Sequence, residues 1–260
     1  MANEILYEVK NISKFFGGVK AVQGVSFKLK KGELLGLIGP NGAGKTTLFN
    51  LMTGYITPTH GDIFFNKERL NNKYPDRIVR LGIARTFQEA RVFKSLSVLE
   101  NVMLGAFCIN QVSFASALVS RNGAAEDARA RQAAFDVFDF MGMGISDLSD
   151  MKAGAISYGN QRKVEIARAL AIKSQLLLLD EPTAGMNLRE ITEITELFQK
   201  IHQSGVTIII IEHNMRLIMG ISKRIIVLDY GQIIADGLPD KVKSDPKVIA
   251  AYLGGEVKHA

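Results

Sequence analysis

The sequence predicts an α/β fold: a parallel sheet, a small antiparallel sheet near the N-terminus, and a helical subdomain inserted into the sheet. Three observations carry this prediction. Short apolar segments alternate with helical patterns between residues 176 and 228, which is typical of parallel strands joined by crossover helices. Residues from about 95 to 172 show helical spacing without a strand pattern. Before residue 66, alternating polarity predicts short antiparallel strands.

Composition sets the broad class. The 260 residues are 47% hydrophobic, enough for a substantial core, and the net charge of +6 is spread without a block of like charges. Cys108 is the only cysteine, so no internal disulfide forms and a reducing compartment is expected. The N-terminus does not resemble a signal peptide. The longest apolar runs, Leu176–Leu179 and Val206–Ile211, are far below the roughly 20 residues that span a bilayer, so any membrane role requires partner chains.

The first elements are predicted to be strands. Ile5, Tyr7 and Val9 fall on one face of the first strand, the second strand lies around Phe27, and Gly61–Phe65 forms a further strand. Glycine-containing turns separate them. These segments predict the small antiparallel sheet.

A glycine-rich turn follows the apolar run Leu34–Ile38, which predicts a buried strand, and precedes the start of a helix. The turn fits G-x-x-x-x-G-K-[ST], whose backbone N–H groups surround phosphate oxygens at a helix N-terminus. Lys45 supplies a point charge for the terminal phosphates, and the Thr46 hydroxyl can bind Mg²⁺. The predicted phosphate-binding residues are Gly39, Pro40, Asn41, Gly42, Ala43, Gly44, Lys45, Thr46 and Thr47.

The middle of the chain is predicted to be helical. Phe135, Phe138 and Met141 recur at helical spacing, which indicates the core face of a helix over about 124–141. Ser157 is a candidate N-cap before a second apolar-periodic helix. A helix N-terminus next to a hydroxyl and a glycine is a second anion site, although an ordinary capped helix explains the same pattern.

Two carboxylates end the next strand, Leu176–Leu179. Ligands of open α/β sheets bind at the carboxyl edge of the strands. Asp180 is therefore a candidate Mg²⁺ ligand, and Glu181 is a candidate general base toward an attacking water. Strands over 207–211 and 224–228, helices over 188–203 and 213–220, a hairpin at Gly231 and a final helix over 245–253 complete the prediction. Taken alone, Gln88 and His213 indicate no function.

These motifs, in this order, resemble the nucleotide-binding subunit of ABC transporters over nearly the full chain. The resemblance implies a P-loop NTPase (RecA-like) core and a single ABC ATPase domain over residues 1–260. In this division, residues 1–87 and 173–260 form the α/β core with its antiparallel β-subdomain, and residues 88–172 form the helical subdomain that carries the signature motif.

The resemblance also implies a role for each matched position, with ATP and Mg²⁺ as cofactors. Phe16, in place of the usual tyrosine, stacks on adenine. Gln88 is the Q-loop glutamine, which contacts the metal and water and faces the membrane subunit. His213 is the switch histidine beside the catalytic Glu181, and Ala184–Asn187 is the D-loop. Within the signature motif, Ser157, Gly159 and Gln161 contact the γ-phosphate of nucleotide on an opposing subunit.

Tyr158 and Asn160 depart from the general signature pattern, and these changes resemble the branched-chain amino-acid importer type. The stretches over 85–88, 211–215 and 251–254 are similar to the same type. This implies a peripheral subunit at the cytoplasmic face of the membrane that hydrolyses ATP and powers the transport of branched-chain amino acids by ATP-driven dimer closure. The expected partners are a second ABC ATPase subunit (identical or sister), membrane permease subunits and, indirectly, a solute-binding protein, with no nucleic acid.

Other functions remain open at this point. Urea and short-amide importers share much of the pattern. A soluble ABC ATPase acting on nucleic acid or ribosomes is disfavoured, because the chain has one phosphate loop and no long heptad run. A small-molecule P-loop kinase would need an acceptor-binding lid and would not need the Ser157 motif.

Overall fold

The structure, a computed structural model, describes residues 4–109, 123–142 and 144–253. The chain divides into two compact units, the first made of Met1–Ile78, Leu178–Glu181 and Phe198–Ala260, and the second of Val79–Leu177 and Pro182–Leu197. The assignment of residues 88–172 to a helical subdomain remains a prediction.

The strands, in chain order, are β1 (Ile5–Phe16), β2 (Val19–Lys30), β3 (Leu34–Ile38), β4 (His60–Phe65), β5 (Glu68–Arg69), β6 (Ile83–Arg85), β7 (Leu176–Asp180), β8 (Thr207–Ile211), β9 (Arg224–Asp229) and β10 (Gln232–Gly237). The α-helices are α1 (Lys45–Met52), α2 (Pro75–Arg80), α3 (Val98–Ile109), α4 (Gly123–Met141), α5 (Tyr158–Ala171), α6 (Leu188–Gln203), α7 (Met215–Ile221), α8 (Pro239–Lys243) and α9 (Pro246–Leu253). None of the helices among the described residues is long and apolar enough to cross a bilayer.

The antiparallel sheet of the first unit has the strand order β2–β1–β4–β5, as the alternating pattern predicts. Its inner face buries Tyr7, Val9 and Leu29. The Tyr7 hydroxyl, inside the core, donates to the Met52 carbonyl oxygen at the end of α1 over 2.7 Å. This hydrogen bond satisfies a buried polar group and joins the sheet to the helix that follows the phosphate loop.

The second sheet of the first unit places β3 between two parallel partners. In the order β10–β9–β3–β8–β7, Gly36 is opposite Ile210 of β8, and Ile38 is opposite Val227 of β9. β10 runs antiparallel to β9 across the predicted hairpin at Gly231. All residues of β3 and β8 are buried, which explains their continuous apolar sequences. The carboxyl ends of β3, β8 and β9 therefore meet at one edge.

The second unit packs α3 and α5 closely together. A Cβ at Gly105 of α3 would lie 2.2 Å from the Arg168 carbonyl oxygen, so only glycine permits this contact. Phe138 and Met141 of α4 are buried, as predicted, and the Phe135 ring makes an edge contact with Phe138 at 5.9 Å. β6 lies beside the start of β7, where the Gln175 and Leu176 N–H groups both donate to the Gly82 carbonyl oxygen.

Candidate functional site

The phosphate loop joins β3 to α1, as predicted, and its glycines allow very close backbone packing. A Cβ at Gly39 would lie 2.1 Å from the Leu228 carbonyl oxygen, and one at Gly44 would lie 2.4 Å from the Ala21 carbonyl oxygen. Gly44, with φ near 98°, begins α1 in the left-handed conformation. The loop is therefore held by β9 and β2, and its shape depends on the absence of side chains at these two positions.

Lys45 is the first residue of α1 and is only 7% exposed. Its ammonium group donates to the carbonyl oxygens of Gly39 and Pro40 over 2.7 and 2.9 Å. Burial lowers the pKa of Lys45, while the carboxylates of Glu181 and Asp180 act in the opposite direction. An ammonium group has three donors, so Lys45 can bind a phosphate oxygen while it stabilises the loop.

A cleft of about 650 Å³ opens over the loop, a volume that suits a cofactor-sized ligand. Glu181 and His213 line it together with the loop and the start of β2. The lining residues are Gly18, Val19, Lys20, Ala21, Asn41, Gly42, Ala43, Gly44, Lys45, Thr46, Thr47, Glu181, His213 and Tyr230. The cleft thus combines backbone N–H groups, cationic side chains and a carboxylate.

The cleft includes residues that belong to none of the predicted motifs, notably Lys20 and Tyr230. Tyr230 is 73% exposed and occupies the turn between β9 and β10. Phe16, the predicted adenine-stacking residue, is not among the lining residues within the part of the chain that the structure describes. It stands at the end of β1 opposite Val19, which does line the cleft.

Asp180 is the last residue of β7 and Glu181 follows it directly, as predicted. Asp180 is buried. Glu181 has φ near 46°, which is unusual for a residue with a side chain, and its N–H donates to the Ile211 carbonyl oxygen at the end of β8. Strained residues of this kind cluster at active sites.

The Glu181 carboxylate contacts the predicted switch histidine. His213 Nε2 lies 2.7 Å from Glu181 Oε1. The backbone around His213 is held by Glu212, whose carboxylate accepts from the His213 N–H, and by Asn214, whose side chain caps α7. A carboxylate that contacts an imidazole over the phosphate loop has the arrangement of a base with an orienting partner.

The donor set near the loop fits a magnesium ion. Thr46 belongs to the first turn of α1 and is exposed, while Asp180 supplies a carboxylate at the end of β7, two strands from β3 in the same sheet. Mg²⁺ typically takes one or two carboxylates and completes its shell with water and substrate phosphates. The described residues contain no cluster of three or more His, Cys, Asp or Glu side chains that could hold a metal by itself.

The other predicted site residues belong to the second unit. Ser157 is the N-cap of α5, as predicted, because its side chain accepts from the Asn160 N–H. The Gln161 side chain donates to the Ile156 carbonyl oxygen. At Gly159, a Cβ would lie 2.5 Å from a carboxylate oxygen of Glu190, so the start of α6 packs directly against the motif. Gln88 is exposed.

The geometry thus gathers the loop, Asp180, Glu181 and His213 in the first unit. Gln88 and the residues around Ser157 form a separate group in the second unit. The roles of all these residues in binding and catalysis remain predictions.

Comparison with known proteins agrees with this architecture. The model of the ABC transporter family matches residues 22–184. A second model, described as branched-chain amino acid ATP-binding cassette transporter, matches residues 232–258.

Two relatives, both named as branched-chain amino acid transport ATP-binding proteins, match this chain over nearly their full lengths. The high-affinity branched-chain amino acid transport ATP-binding protein LivG of Salmonella typhimurium is 38% identical over 96% of this chain and 98% of its own. The corresponding protein BraF of Pseudomonas aeruginosa is 36% identical over 98% and 99%. The similarity to both relatives therefore extends over nearly the whole chain.

A solved structure shares the fold. The crystal structure of the ADP conformation of an ATP-binding cassette of an ABC transporter superposes with a TM-score of 0.84. It is 34% identical and covers 97% of this chain and 100% of that one. A nucleotide-free cassette from an ABC transporter gives a TM-score of 0.83 at 33% identity, over 95% and 98% of the two chains.

Proposed function

Because the chain belongs to the ABC transporter family, as an ATP-binding cassette that hydrolyses ATP, we propose that it powers the import of branched-chain amino acids through membrane permease subunits. The functions that the two relatives are named for support this substrate class, as does the branched-chain cassette match over residues 232–258. The observation that supports hydrolysis is the 2.7 Å contact between Glu181 and His213, which line the cleft together with the phosphate loop.

Hydrolysis begins with phosphate binding. The N–H groups of the loop and the Lys45 ammonium group neutralise the charge of the triphosphate. Thr46 and Asp180 would hold Mg²⁺, which would help to neutralise the charge of the phosphates when bound. Because the loop packs closely against the backbone of β2 and β9, little reorganisation should oppose nucleotide binding.

Glu181 is the general base in this proposal. Its carboxylate accepts a proton as the oxygen of a water molecule forms a bond to the γ-phosphorus, and the bond from that phosphorus to the bridging oxygen breaks, which leaves ADP and inorganic phosphate. His213 holds the carboxylate in place through Nε2. Holding the base and the water in line lowers the entropic part of the activation barrier to hydrolysis.

The full reaction cycle needs a second cassette. The capped N-terminus of α5 at Ser157 is suited to phosphate charge. In this proposal Ser157, Gly159 and Gln161 of one subunit cover nucleotide bound to Gly39–Thr46 of the other, whether that partner is the same chain or a sister ATPase. Closure moves the permease subunits through the segment around Gln88, and hydrolysis reopens the pair at the cytoplasmic face of the membrane.

Reconstitution tests this function. We expect vesicles that contain this chain with its permease subunits, supplied with the solute-binding protein, to accumulate radiolabelled leucine only when ATP is present on the side of this chain. The variant Glu181→Gln should reduce ATP turnover by about 10²- to 10⁴-fold while it retains ATP binding.

The outcome separates the substrate classes. Uptake of urea or a short amide, without leucine or valine, would contradict the branched-chain assignment but retain the cassette function. Parental ATP turnover by Glu181→Gln would show that another group is the base.

A further inference from the structure

A completely buried ion pair lies in α5, in the second unit. Arg162 is 0% and Glu165 is 2% exposed, and the guanidinium group donates to the carboxylate over 2.7 Å. Removing two charges from water costs several kcal/mol per ion unless further hydrogen bonds satisfy both groups. The partners of these two side chains therefore indicate why the pair is present.

Both side chains bind the backbone of residues 87–91, the segment that contains Gln88. The Arg162 guanidinium donates to the carbonyl oxygens of Phe87 and Gln88. The Glu165 carboxylate accepts from the N–H groups of Phe87 and Arg91 over 3.2 and 3.4 Å. The segment thus receives donors for its carbonyl groups and an acceptor for its N–H groups from a single pair of side chains one helical turn apart.

Tyr158 adds a further contact from the first turn of the same helix. Its hydroxyl donates to the Gln88 carbonyl oxygen over 3.3 Å and accepts from Arg162 over 3.0 Å. Residues 158, 162 and 165 share one face of α5, since they are spaced four and three residues apart. Within the segment 87–91, the Arg91 guanidinium stacks on the Phe87 ring, 3.8 Å from its centre.

Burial raises the pKa of Glu165, and Arg162 together with the two backbone N–H groups opposes this effect. The carboxylate therefore depends on these particular partners to remain ionised.

We propose that Tyr158, Arg162 and Glu165, which we call the α5 latch, fix the segment 87–91 to the first turns of the helix that begins at Ser157. This positioning role rests on the proposed function, in which Gln88 faces the permease and Ser157 faces nucleotide on the partner cassette. Through the latch, a displacement of the segment by the permease moves the N-terminus of α5 with it. The buried pair thus couples permease movement to the cover over the partner's nucleotide.

The sharpest test replaces both charges with apolar side chains. Apolar replacement of a buried ion pair is often neutral or stabilising, so Arg162→Met/Glu165→Leu should fold with a thermal midpoint near the parental value. In the full transporter, we expect amide hydrogen exchange of residues 87–91 to accelerate by about tenfold or more. Permease-stimulated ATP turnover and leucine uptake should both fall by about tenfold, while nucleotide affinity of the isolated chain should stay within about twofold, because the phosphate loop belongs to the first unit.

The matched control removes the exposed pair Asp62–Arg69, whose charged atoms are 2.6 Å apart. Asp62→Leu/Arg69→Met makes the same change in charge and should leave exchange at 87–91 and uptake unchanged. If the Arg162/Glu165 variant does not fold, Tyr158→Phe removes one hydroxyl from the latch and should accelerate exchange at residue 88 with a smaller loss of stimulated turnover.

Parental exchange at 87–91 and parental uptake in the variant that folds would overturn the latch, as would a parental result for Tyr158→Phe in its place. Failure of the proposed function is distinguishable, because it would abolish leucine uptake by the parental transporter, while the exchange measurement tests the latch without any transported solute.

Discussion

At the scale of single residues, two opposing effects act on the pKa of Lys45. Burial at the start of α1 lowers its pKa, whereas Asp180 and Glu181 favour the charged form. In the proposed function, a bound triphosphate places negative charge next to the ammonium group and so raises the pKa of Lys45 again. Lys45 is therefore a site where nucleotide binding and proton binding are linked.

This linkage predicts a pH dependence. Between the lowered pKa of the nucleotide-free protein and the higher pKa of the complex, binding takes up a proton, so nucleotide affinity falls as pH rises through that window. Titration of a fluorescent ATP analogue from neutral pH upward should show the fall, and calorimetry in buffers of different ionisation enthalpy should show the proton uptake. Lys45→Ala should lose most of the affinity and show no comparable pH dependence.

The sign can be checked independently on the nucleotide-free protein. Between the lowered pKa of Lys45 in the folded protein and the ordinary pKa of lysine, the unfolded chain holds more protons on this side chain than the folded chain, so the contribution of Lys45 to stability rises with pH. A nucleotide affinity that stays constant up to the ordinary pKa of lysine would contradict the assignment of Lys45 to phosphate binding.

At the scale of elements, the strand–loop–helix unit was predictable because its motif is contiguous in sequence. The cleft residue Tyr230 was not predictable from a local pattern, since it follows from β9 being the parallel neighbour of β3. Once Ile38 is opposite Val227, the turn after β9 must lie at the same edge as the phosphate loop. Sheet order is a long-range property, and the alternation of strands and helices does not specify it.

The same distinction applies to α5. The pattern predicted its N-cap at Ser157 correctly, because a capping side chain acts within one turn. The partners of Arg162 and Glu165 lie more than 70 residues away in sequence, and a charged pair inside a helix most often indicates a solvated face. The fit of His213 to Glu181 likewise depended on a resemblance and not on a local signal.

The loop geometry predicts a sharp difference between two glycines. Gly39→Ala places a methyl group against the Leu228 carbonyl oxygen, a backbone atom that can move only with β9. We expect a loss of about 1–3 kcal/mol in the free energy of unfolding and weaker nucleotide binding, since the loop must shift. Urea denaturation and nucleotide titration measure the two effects.

Gly18→Ala provides the control, because Gly18 also lines the cleft but a methyl group there would have no atom within 4 Å. Its stability should stay within about 0.5 kcal/mol of the parental value. Equal effects of the two substitutions would show that close packing against β9 does not shape the loop.

At the scale of the whole molecule, the chemistry is divided between the two units. The first unit holds the phosphate loop, Glu181 and His213, and the second holds Gln88 and the capped helix at Ser157. The sequence motifs indicated both groups but not how a single chain would use the second one. In the proposed cycle, that group acts on nucleotide of a neighbouring cassette, so the assembly state should depend on nucleotide.

This dependence gives the last prediction. With hydrolysis slowed, ATP should hold the closed pair together, because phosphate charge joins Lys45 of one chain to the N-terminus of α5 in the other. Glu181→Gln with ATP and Mg²⁺ should therefore elute, by size-exclusion chromatography with light scattering, at about twice the 28.5 kDa mass of the chain. The same protein without nucleotide, or with Lys45→Ala added, should remain at 28.5 kDa. A single 28.5 kDa species at saturating ATP would contradict closure between two copies of this chain, and addition of a sister cassette would then test the heterodimer.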